Sequence, residues 1–134
     1  MVRISLALAV AALVAPCQAQ DTSFAVVREP LASYQIGGAK TVDHLDIRRF
    51  NFSPGAKGPA TSFAMPVLGY VASGTIVVQV GGGPLQTLTA GDTLFLPASS
   101  TINRLENASA TEPAALIAVF LLGKQEALPL DKLP

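Results

Sequence analysis

The sequence predicts one all-β domain, and three observations carry this prediction. From Phe24 onward the apolar runs are short and rich in valine, isoleucine and phenylalanine, which favour strands. Glycine, proline, serine or asparagine separates these runs, as turns require. No apolar stripe with helical spacing continues along the chain. Short, regularly spaced strands indicate a β-sandwich or a small barrel, and 134 residues leave room for only one core.

Eight apolar runs are the candidate strands: residues 24–27, 42–52, 62–72, 75–80, 85–89, 93–96, 102–106 and 114–122. The Gly-Gly-Gly-Pro stretch at residues 81–84 predicts a hairpin, because glycine permits positive φ and a proline can begin a strand without donating to the ladder. Gly91 and Asp92 predict the next turn, which we expect the Asp92 side chain to stabilise. The run at 114–122 has no charge and suits a buried or shared strand.

The N-terminal residues 1–19 have the pattern of a secretory signal peptide. Arg3 is the positive start, residues 4–15 are almost entirely apolar, and small residues precede the expected cleavage site. The apolar stretch is shorter than the roughly 20 residues of a membrane-spanning helix. Acylation of Cys17 and a retained apolar anchor are the alternatives to cleavage. We therefore expect residues 20–134 to form an exported domain, periplasmic or secreted, with no stable membrane span.

Composition excludes several classes of function. Lysine plus arginine equals aspartate plus glutamate at nine each, and no basic block interrupts the apolar runs, so we expect no nucleic-acid partner. The chain has one cysteine, one histidine and no tryptophan. A disulfide framework, or a zinc site built from clustered cysteine and histidine, is therefore not available within one chain.

Two frames of glycine and proline resemble the two motifs of the cupin superfamily, G-x5-H-x-H-x3-E-x6-G and G-x5-P-x-G-x2-H-x3-N. Gly55 and Gly74 occupy the two ends of the first motif, and Gly91 with Pro97 opens the second. The resemblance covers about residues 50–122. It implies a cupin-type jelly-roll β-barrel, as a single domain after the cleaved signal peptide.

The same resemblance locates the positions at which this family holds a metal ion. In the first motif these positions fall on Thr61, Phe63 and Val67, where the family has two histidines and a glutamate. A hydroxyl group and two hydrocarbon side chains do not replace imidazole and carboxylate donors. Strand alternation puts all three side chains on one face, so they are expected to point into the barrel.

In the second motif the histidine position depends on the direction of counting. Counting forward from Pro97 reaches Ile102, whereas counting back from Asn107 reaches Asn103 and requires one inserted residue. Neither residue is a histidine. The resemblance therefore implies a cupin without the metal triad, and we expect no metal ion and no cofactor.

Two states of the barrel interior remain open. The side chains fill it completely, or they leave a pocket for a small apolar or weakly polar ligand. In the second case the candidate ligand-binding residues are Thr61, Phe63, Val67 and Asn103, with Thr61 and Asn103 as the polar contacts.

The candidate catalytic residue is His44, which shares one face of a strand with Asp46 and Arg48. The simpler interpretation of this face is a solvated, charged surface. Arg48 and Arg49 could hold a carboxylate, although ordinary ion pairs with neighbouring aspartates are favoured.

Two function classes follow. The first is a non-catalytic barrel that binds a small molecule or a second subunit as a homodimer. The alternative is a metal-free isomerase, lyase or cyclase that uses His44 or a tyrosine as acid or base, and it requires His44 to point into the cavity.

Overall fold

The computed structural model describes residues 26–38 and 40–128, which contain eight strands and no helix. The strands are β1 (His44–Phe52), β2 (Thr61–Phe63), β3 (Val67–Ser73), β4 (Thr75–Val80), β5 (Leu85–Thr89), β6 (Thr93–Leu96), β7 (Ser100–Asn107) and β8 (Ala114–Leu122). Within these two ranges no helix is long and apolar enough to cross a membrane. The expected leader lies outside the described residues, so its cleavage stays a prediction.

The strands form two four-stranded antiparallel sheets. Sheet A has the order β1-β8-β3-β6, and sheet B has the order β2-β7-β4-β5. The chain changes sheet at every connection except the one between β4 and β5, so both sheets contain strands that are distant in sequence. This arrangement confirms the predicted all-β jelly-roll barrel.

One predicted strand is two strands in the structure. The run at residues 62–72 is interrupted at residues 64–66, and the chain passes there from β2 in sheet B to β3 in sheet A. Pro66 explains the break, because a proline has no N–H to donate to a ladder. Its carbonyl accepts a hydrogen bond from Leu121 N at 3.0 Å. The predicted strand at 24–27 is wrong for its described part, since residues 26 and 27 are exposed and lie outside any strand.

The core lies between the two sheets and is built from the inward face of each strand. Val71, Ile76 and Val78 have no exposed surface. Burial of an aliphatic or aromatic side chain of this kind contributes about 1.5 to 3 kcal/mol. The core residues are Phe52, Phe63, Met65, Val67, Val71, Ile76, Val78, Leu94, Leu96, Ile102, Leu105, Ala114, Leu116, Ala118, Phe120 and Leu122.

The two predicted turns are present. Residues 81–84 connect β4 to β5 as a hairpin, in which Gly81 has a φ of 54° and Gly83 N donates to Val80 O at 3.0 Å. In the next turn Asp92 Oδ2 accepts hydrogen bonds from the N–H and the hydroxyl of Thr89 at 2.8 and 3.1 Å. The Asp92 carboxylate therefore stabilises this turn, as predicted.

The segment before β1 is attached to the rest of the domain at two points, one on sheet A and one on the turn that follows β8. The Tyr34 ring stacks on Phe95 of β6 with centroids 5.3 Å apart, and its hydroxyl makes a hydrogen bond of 2.7 Å with Thr93 Oγ1. Further along, Lys40 Nζ contacts both carboxylate oxygens of Glu126 at 3.0 and 2.8 Å. The Lys40 hydrogen bond, with a second one from Gly123 N, lowers the pKa of Glu126.

The Lys40–Glu126 ion pair predicts a dependence of stability on pH. Because the pKa of Glu126 is lower in the folded than in the unfolded state, its contribution is present above the unfolded pKa of about 4.3 and is lost as the pH falls through the folded value. Glu126→Gln is therefore expected to lower the stability at pH 7, and its difference from the wild type should shrink towards pH 3 (roughly one unit below the unfolded pKa).

Urea denaturation at both pH values measures this effect. Glu112→Gln is the matched control, because Glu112 takes part in hydrogen bonds through its main chain. If Glu126→Gln and Glu112→Gln have the same stability at pH 7, the ion pair does not contribute.

Candidate functional site

The first-motif positions all face the inside of the barrel. Thr61 and Phe63 on β2 are 5% exposed, and Val67 at the start of β3 is 4% exposed. The Phe63 ring packs against Phe120 of β8 with centroids 5.5 Å apart and a tilt of 55°. The alternation of side chains along the strands therefore brings these three positions into the interior, while their role in binding a ligand stays a prediction.

The interior has almost no free space. Between the inward faces of sheets A and B there is a void of about 30 Å³, lined by hydrocarbon side chains that include Phe63, Val67 and Ile102. One or two water molecules need about this volume, whereas pockets for small organic ligands typically measure about 300 Å³ or more. Of the two states left open by the sequence, the filled core agrees with this geometry.

Asn103 does not reach the interior, so the prediction that it lies beside Thr61 is wrong. The register of β7 with β4 changes at this point, since Gln79 is paired with Arg104 and Val80 with Ile102. Asn103 is the extra residue of this bulge. It lies exposed, and its amide donates a hydrogen bond to the Gly81 carbonyl. Ile102 takes the interior position and is 5% exposed, directly opposite Thr61.

The residues at the family's metal positions do not fit a metal ion. Ile102, Phe63 and Val67 offer no donor atom, and the Thr61 hydroxyl donates a hydrogen bond to the Pro59 carbonyl at 3.2 Å. Divalent transition metals in proteins need imidazole, thiolate or carboxylate donors. No group of three or more histidine, cysteine, aspartate or glutamate side chains that could hold a metal ion occurs among residues 26–38 and 40–128.

His44 lies on the surface at the start of β1. Its side chain is 51% exposed, and its Nδ1 is 3.4 Å from Asp43 Oδ2. Asp46, a possible partner in acid–base chemistry, is instead held by Arg48 through two hydrogen bonds of 2.8 and 3.1 Å. These bonds raise the pKa of Arg48 above its usual value. The inward His44 that the enzyme alternative requires is not observed.

The charged face of β1 is solvated and carries the expected ion pair between Asp46 and Arg48, but it is the less exposed of the two faces of this strand. Asp46 and Arg48 are half-buried and lie on the same side of the strand as the core residue Phe52. The opposite side carries Leu45 and Ile47, which are 56% and 65% exposed. The structure therefore places the apolar side of β1 outward, in a position that hydrophobicity alone would not predict.

The outer face of sheet A is apolar on all four strands. Its side chains stand in three cross-strand rows: Leu45 and Leu121; Ile47, Val119, Leu68 and Phe95; Arg49, Ile117, Tyr70 and Thr93. We call the set without Arg49 and Thr93 the apolar face of sheet A. Tyr34 covers its β6 end by stacking on Phe95, whereas the β1 end is open. The sequence of β8 does not show which of its side chains form this face, because the strand is apolar on both sides.

A cleft of about 350 Å³ opens beside β1. Residues 49–52 form one wall and residues 56–59 the other. The second wall runs along β7 of sheet B, where Gly58 N donates to Leu105 O at 2.7 Å and Asn107 N donates to Ala56 O at 2.9 Å. The cleft therefore lies where the edges of the two sheets separate. Phe50 lines both this cleft and the interior void, so its side chain lies between them.

Neither predicted tyrosine acid–base group lies in the interior. Tyr34 is bound to β6 from outside, and Tyr70 is exposed on the apolar face of sheet A. With His44 on the surface as well, the described structure brings no acid–base side chain together with Thr61, Phe63 and Val67.

Several solved structures share this fold. An RmlC-like cupin from Shewanella frigidimarina is 26% identical, with a TM-score of 0.52 over 60% of this chain and 68% of that one. A cupin superfamily protein from Desulfitobacterium hafniense is 18% identical, with a TM-score of 0.54 over 63% and 72%. Drosophila melanogaster CENP-C, in a complex with CAL1, is 18% identical, with a TM-score of 0.50 over 55% and 63%.

No curated protein matches the sequence. The family model of the cupin domain (Cupin_2) matches residues 48–120, which is more than half of the chain. These residues run from β1 to β8 and include both sheets and the void between them. The chain therefore belongs to the cupin family.

Proposed function

We propose that this protein is an exported, non-catalytic cupin that acts as an interaction barrel and associates with a second copy of itself through the apolar face of sheet A. The observation that carries the proposal is the row formed by Ile47, Val119, Leu68 and Phe95, which crosses all four strands. Contiguous apolar patches on a protein surface are typical of interaction sites.

A second copy is the occupant that fits this face. The central row is apolar throughout, and Arg49 lies opposite Ile117 in the next row at the β1 edge, which agrees with an apolar interface centre and a polar rim. In a two-fold dimer the same patch packs against itself, so an apolar patch meets an apolar patch. Without Arg3 the exported chain has eight basic and nine acidic residues, and a formal net charge of only −1 means that two copies repel each other weakly at long range.

The segment before β1 supports association with a second copy. Val26, Val27 and Leu31 are 88%, 86% and 63% exposed, so this segment leaves apolar surface uncovered on its own chain. Each copy therefore has two apolar surfaces to cover, the segment and the face of sheet A. A dimer in which the segment of one copy lies on the other copy would remove both from water, which is favourable by about 25 cal/mol for each Å² of apolar surface.

A non-catalytic role agrees with the interior. Its void of about 30 Å³ is too small for an organic substrate, and the inward side chains there are hydrocarbons. A ligand at Thr61, Phe63 and Val67 would have to displace core side chains, so association ranks above binding inside the barrel. Export is supported by the signal-peptide pattern of residues 1–19. The CENP-C structure bound to CAL1 is an example of this fold with a protein partner.

Sedimentation velocity of the protein recovered after export tests the proposal. The wild type is expected at twice the mass of the mature chain, and mass spectrometry of the same sample reports whether residues 1–19 have been removed. Ile47→Glu should give a folded monomer, because it places a charge at the centre of the proposed interface.

Leu85→Glu is the matched control. Leu85 is 52% exposed, but it lies on β5 of sheet B, away from the apolar face of sheet A. This variant should remain a dimer. A monomeric wild type would overturn the proposal, and so would a dimer that Ile47→Glu leaves intact.

A further inference from the structure

We propose that the cleft between residues 49–52 and residues 56–59 binds a small carboxylate that carries an aromatic body. The cleft measures about 350 Å³, which is within the range of small-molecule sites and more than ten times the volume of the interior void. It is separate from Thr61, Phe63 and Val67, since none of these residues lines it.

The charge of the cleft selects an anion. Arg49 and Lys57 stand on opposite walls, and no acidic side chain lines the cleft. A carboxylate between the two walls would meet both cations. Arginine is especially suited to this group, because its planar guanidinium donates two parallel hydrogen bonds to a carboxylate.

Arg49 is the one arginine of the strands that makes no ion pair among the described residues. The other two strand arginines are neutralised within their own strands, Arg48 by Asp46 at 2.8 Å and Arg104 by Glu106 at 2.8 Å. The sequence predicts an aspartate partner for Arg49 as well, and the structure shows none within the described ranges. Its guanidinium is therefore available to an external carboxylate.

Lys57 is also available. Glu106 on β7 is its cross-strand partner, and the pKa of that carboxyl is lowered mainly by the hydrogen bond from Arg104 and to a smaller extent by the charges of Arg104 and Lys57. The carboxylate of Glu106 is, however, already bound to Arg104 through hydrogen bonds of 3.1 and 2.8 Å. The Lys57 ammonium group makes no hydrogen bond within the described part of the chain, so a bound anion would not have to displace a protein partner.

The remaining surface of the cleft favours an aromatic body over a fully polar ligand. Phe50 and Phe52 of β1 line one wall, and Ala56 and Pro59 line the other. Aromatic rings pack well against such surfaces in stacked or edge-to-face arrangements. The chemistry therefore points to an aromatic monocarboxylate rather than to a phosphate or a dicarboxylate, which would leave this apolar surface without a partner.

A titration of the full protein with 3-phenylpropionate, followed by changes in the ¹H–¹⁵N NMR spectrum, tests the inference. Saturable binding is expected with a Kd below about 1 mM, and the shifted resonances should come from residues 49–52 and 56–59. Arg49→Gln and Lys57→Gln should each weaken binding about tenfold, as expected for the loss of a hydrogen bond to a charged group.

Three controls make the result specific. The neutral amide, 3-phenylpropanamide, should bind about tenfold more weakly than the acid. Lys124→Gln removes an equal charge after β8, outside the cleft, and should leave the affinity unchanged. Leu45→Glu, which adds a charge to the apolar face of sheet A four residues before Arg49 and outside the cleft, should also bind normally, and this separates the cleft from the proposed dimer interface.

Three results would overturn the inference. The first is the absence of saturable binding to the wild type, and the second is an equal loss of affinity in Lys124→Gln and in the cleft variants. The third is an equal affinity for the acid and the amide, which would contradict the role of the two cations.

Discussion

Gly74→Ala is expected to lower the free energy of unfolding by about 2 to 5 kcal/mol. Gly74 has a φ of 74°, a conformation that costs a residue with a side chain about 1 to 2 kcal/mol. An added Cβ would also lie 2.6 Å from the Pro113 carbonyl oxygen and 2.8 Å from the Ala114 Cα. These are main-chain atoms at the start of β8, so they cannot move without disturbing sheet A. Urea denaturation measures the change as a shift of the midpoint.

Gly55→Ala is the matched control for the conformational part of this effect. Gly55 has a similar φ of 69°, but an added Cβ there meets nothing within 4 Å. Gly55→Ala should therefore lower the free energy of unfolding by only about 1 to 2 kcal/mol. If Gly74→Ala is no more destabilising than Gly55→Ala, the contact with the start of β8 is not the reason for glycine at this position.

These two glycines also show why the turns could be predicted from the sequence. Gly55 and Gly74 are at the two ends of the first cupin motif, and both have positive φ in the structure. A turn needs a local backbone conformation, and glycine, proline or aspartate supplies it from within a few residues. The spacing of such residues therefore identified the family and most of the strand boundaries without any information on packing.

The faces of β1 could not be assigned in the same way. Its alternation separates Asp46 and Arg48 from Leu45 and Ile47, but it does not say which pair points inward. Phe52 decides the matter, because it is buried in the core and lies an even number of residues from Asp46 and Arg48. The charged pair is tolerated on the inner side because the two groups neutralise each other at 2.8 Å.

The second-motif position depends on a bulge that the sequence does not specify. Counting back from Asn107 reached Asn103 only with one inserted residue, and Asn103 is the residue that the β7 bulge inserts. Neither count could be preferred from the sequence, since a bulge is defined by the pairing of β7 with β4. The cleft beside β1 could not be predicted for a similar reason. Its two walls are close in the chain but belong to edges of different sheets, which only the strand pairing reveals.

Asn107→Asp is expected to destabilise the protein by about 3 to 5 kcal/mol at pH 7, because it leaves an uncompensated charge at a buried position. Asn107 is 5% exposed, and its Nδ2 donates to the carbonyls of Ser53 and Glu112 at 3.1 and 2.8 Å. Aspartate has nearly the same shape but cannot donate when ionised, so its charge would face carbonyl oxygens. Thermal or urea denaturation measures the loss.

Asn103→Asp provides the comparison, because Asn103 also donates its amide to a main-chain carbonyl but is exposed. Water can replace that bond, so the loss should stay below about 1.5 kcal/mol. Equal losses in the two variants would show that burial of Asn107 is not what matters. Asn107 also joins the end of β1 to the β7–β8 connection, and Phe52 at that end lines the cleft. Any fraction of Asn107→Asp that stays folded should therefore bind 3-phenylpropionate more weakly, although position 107 does not line the cleft.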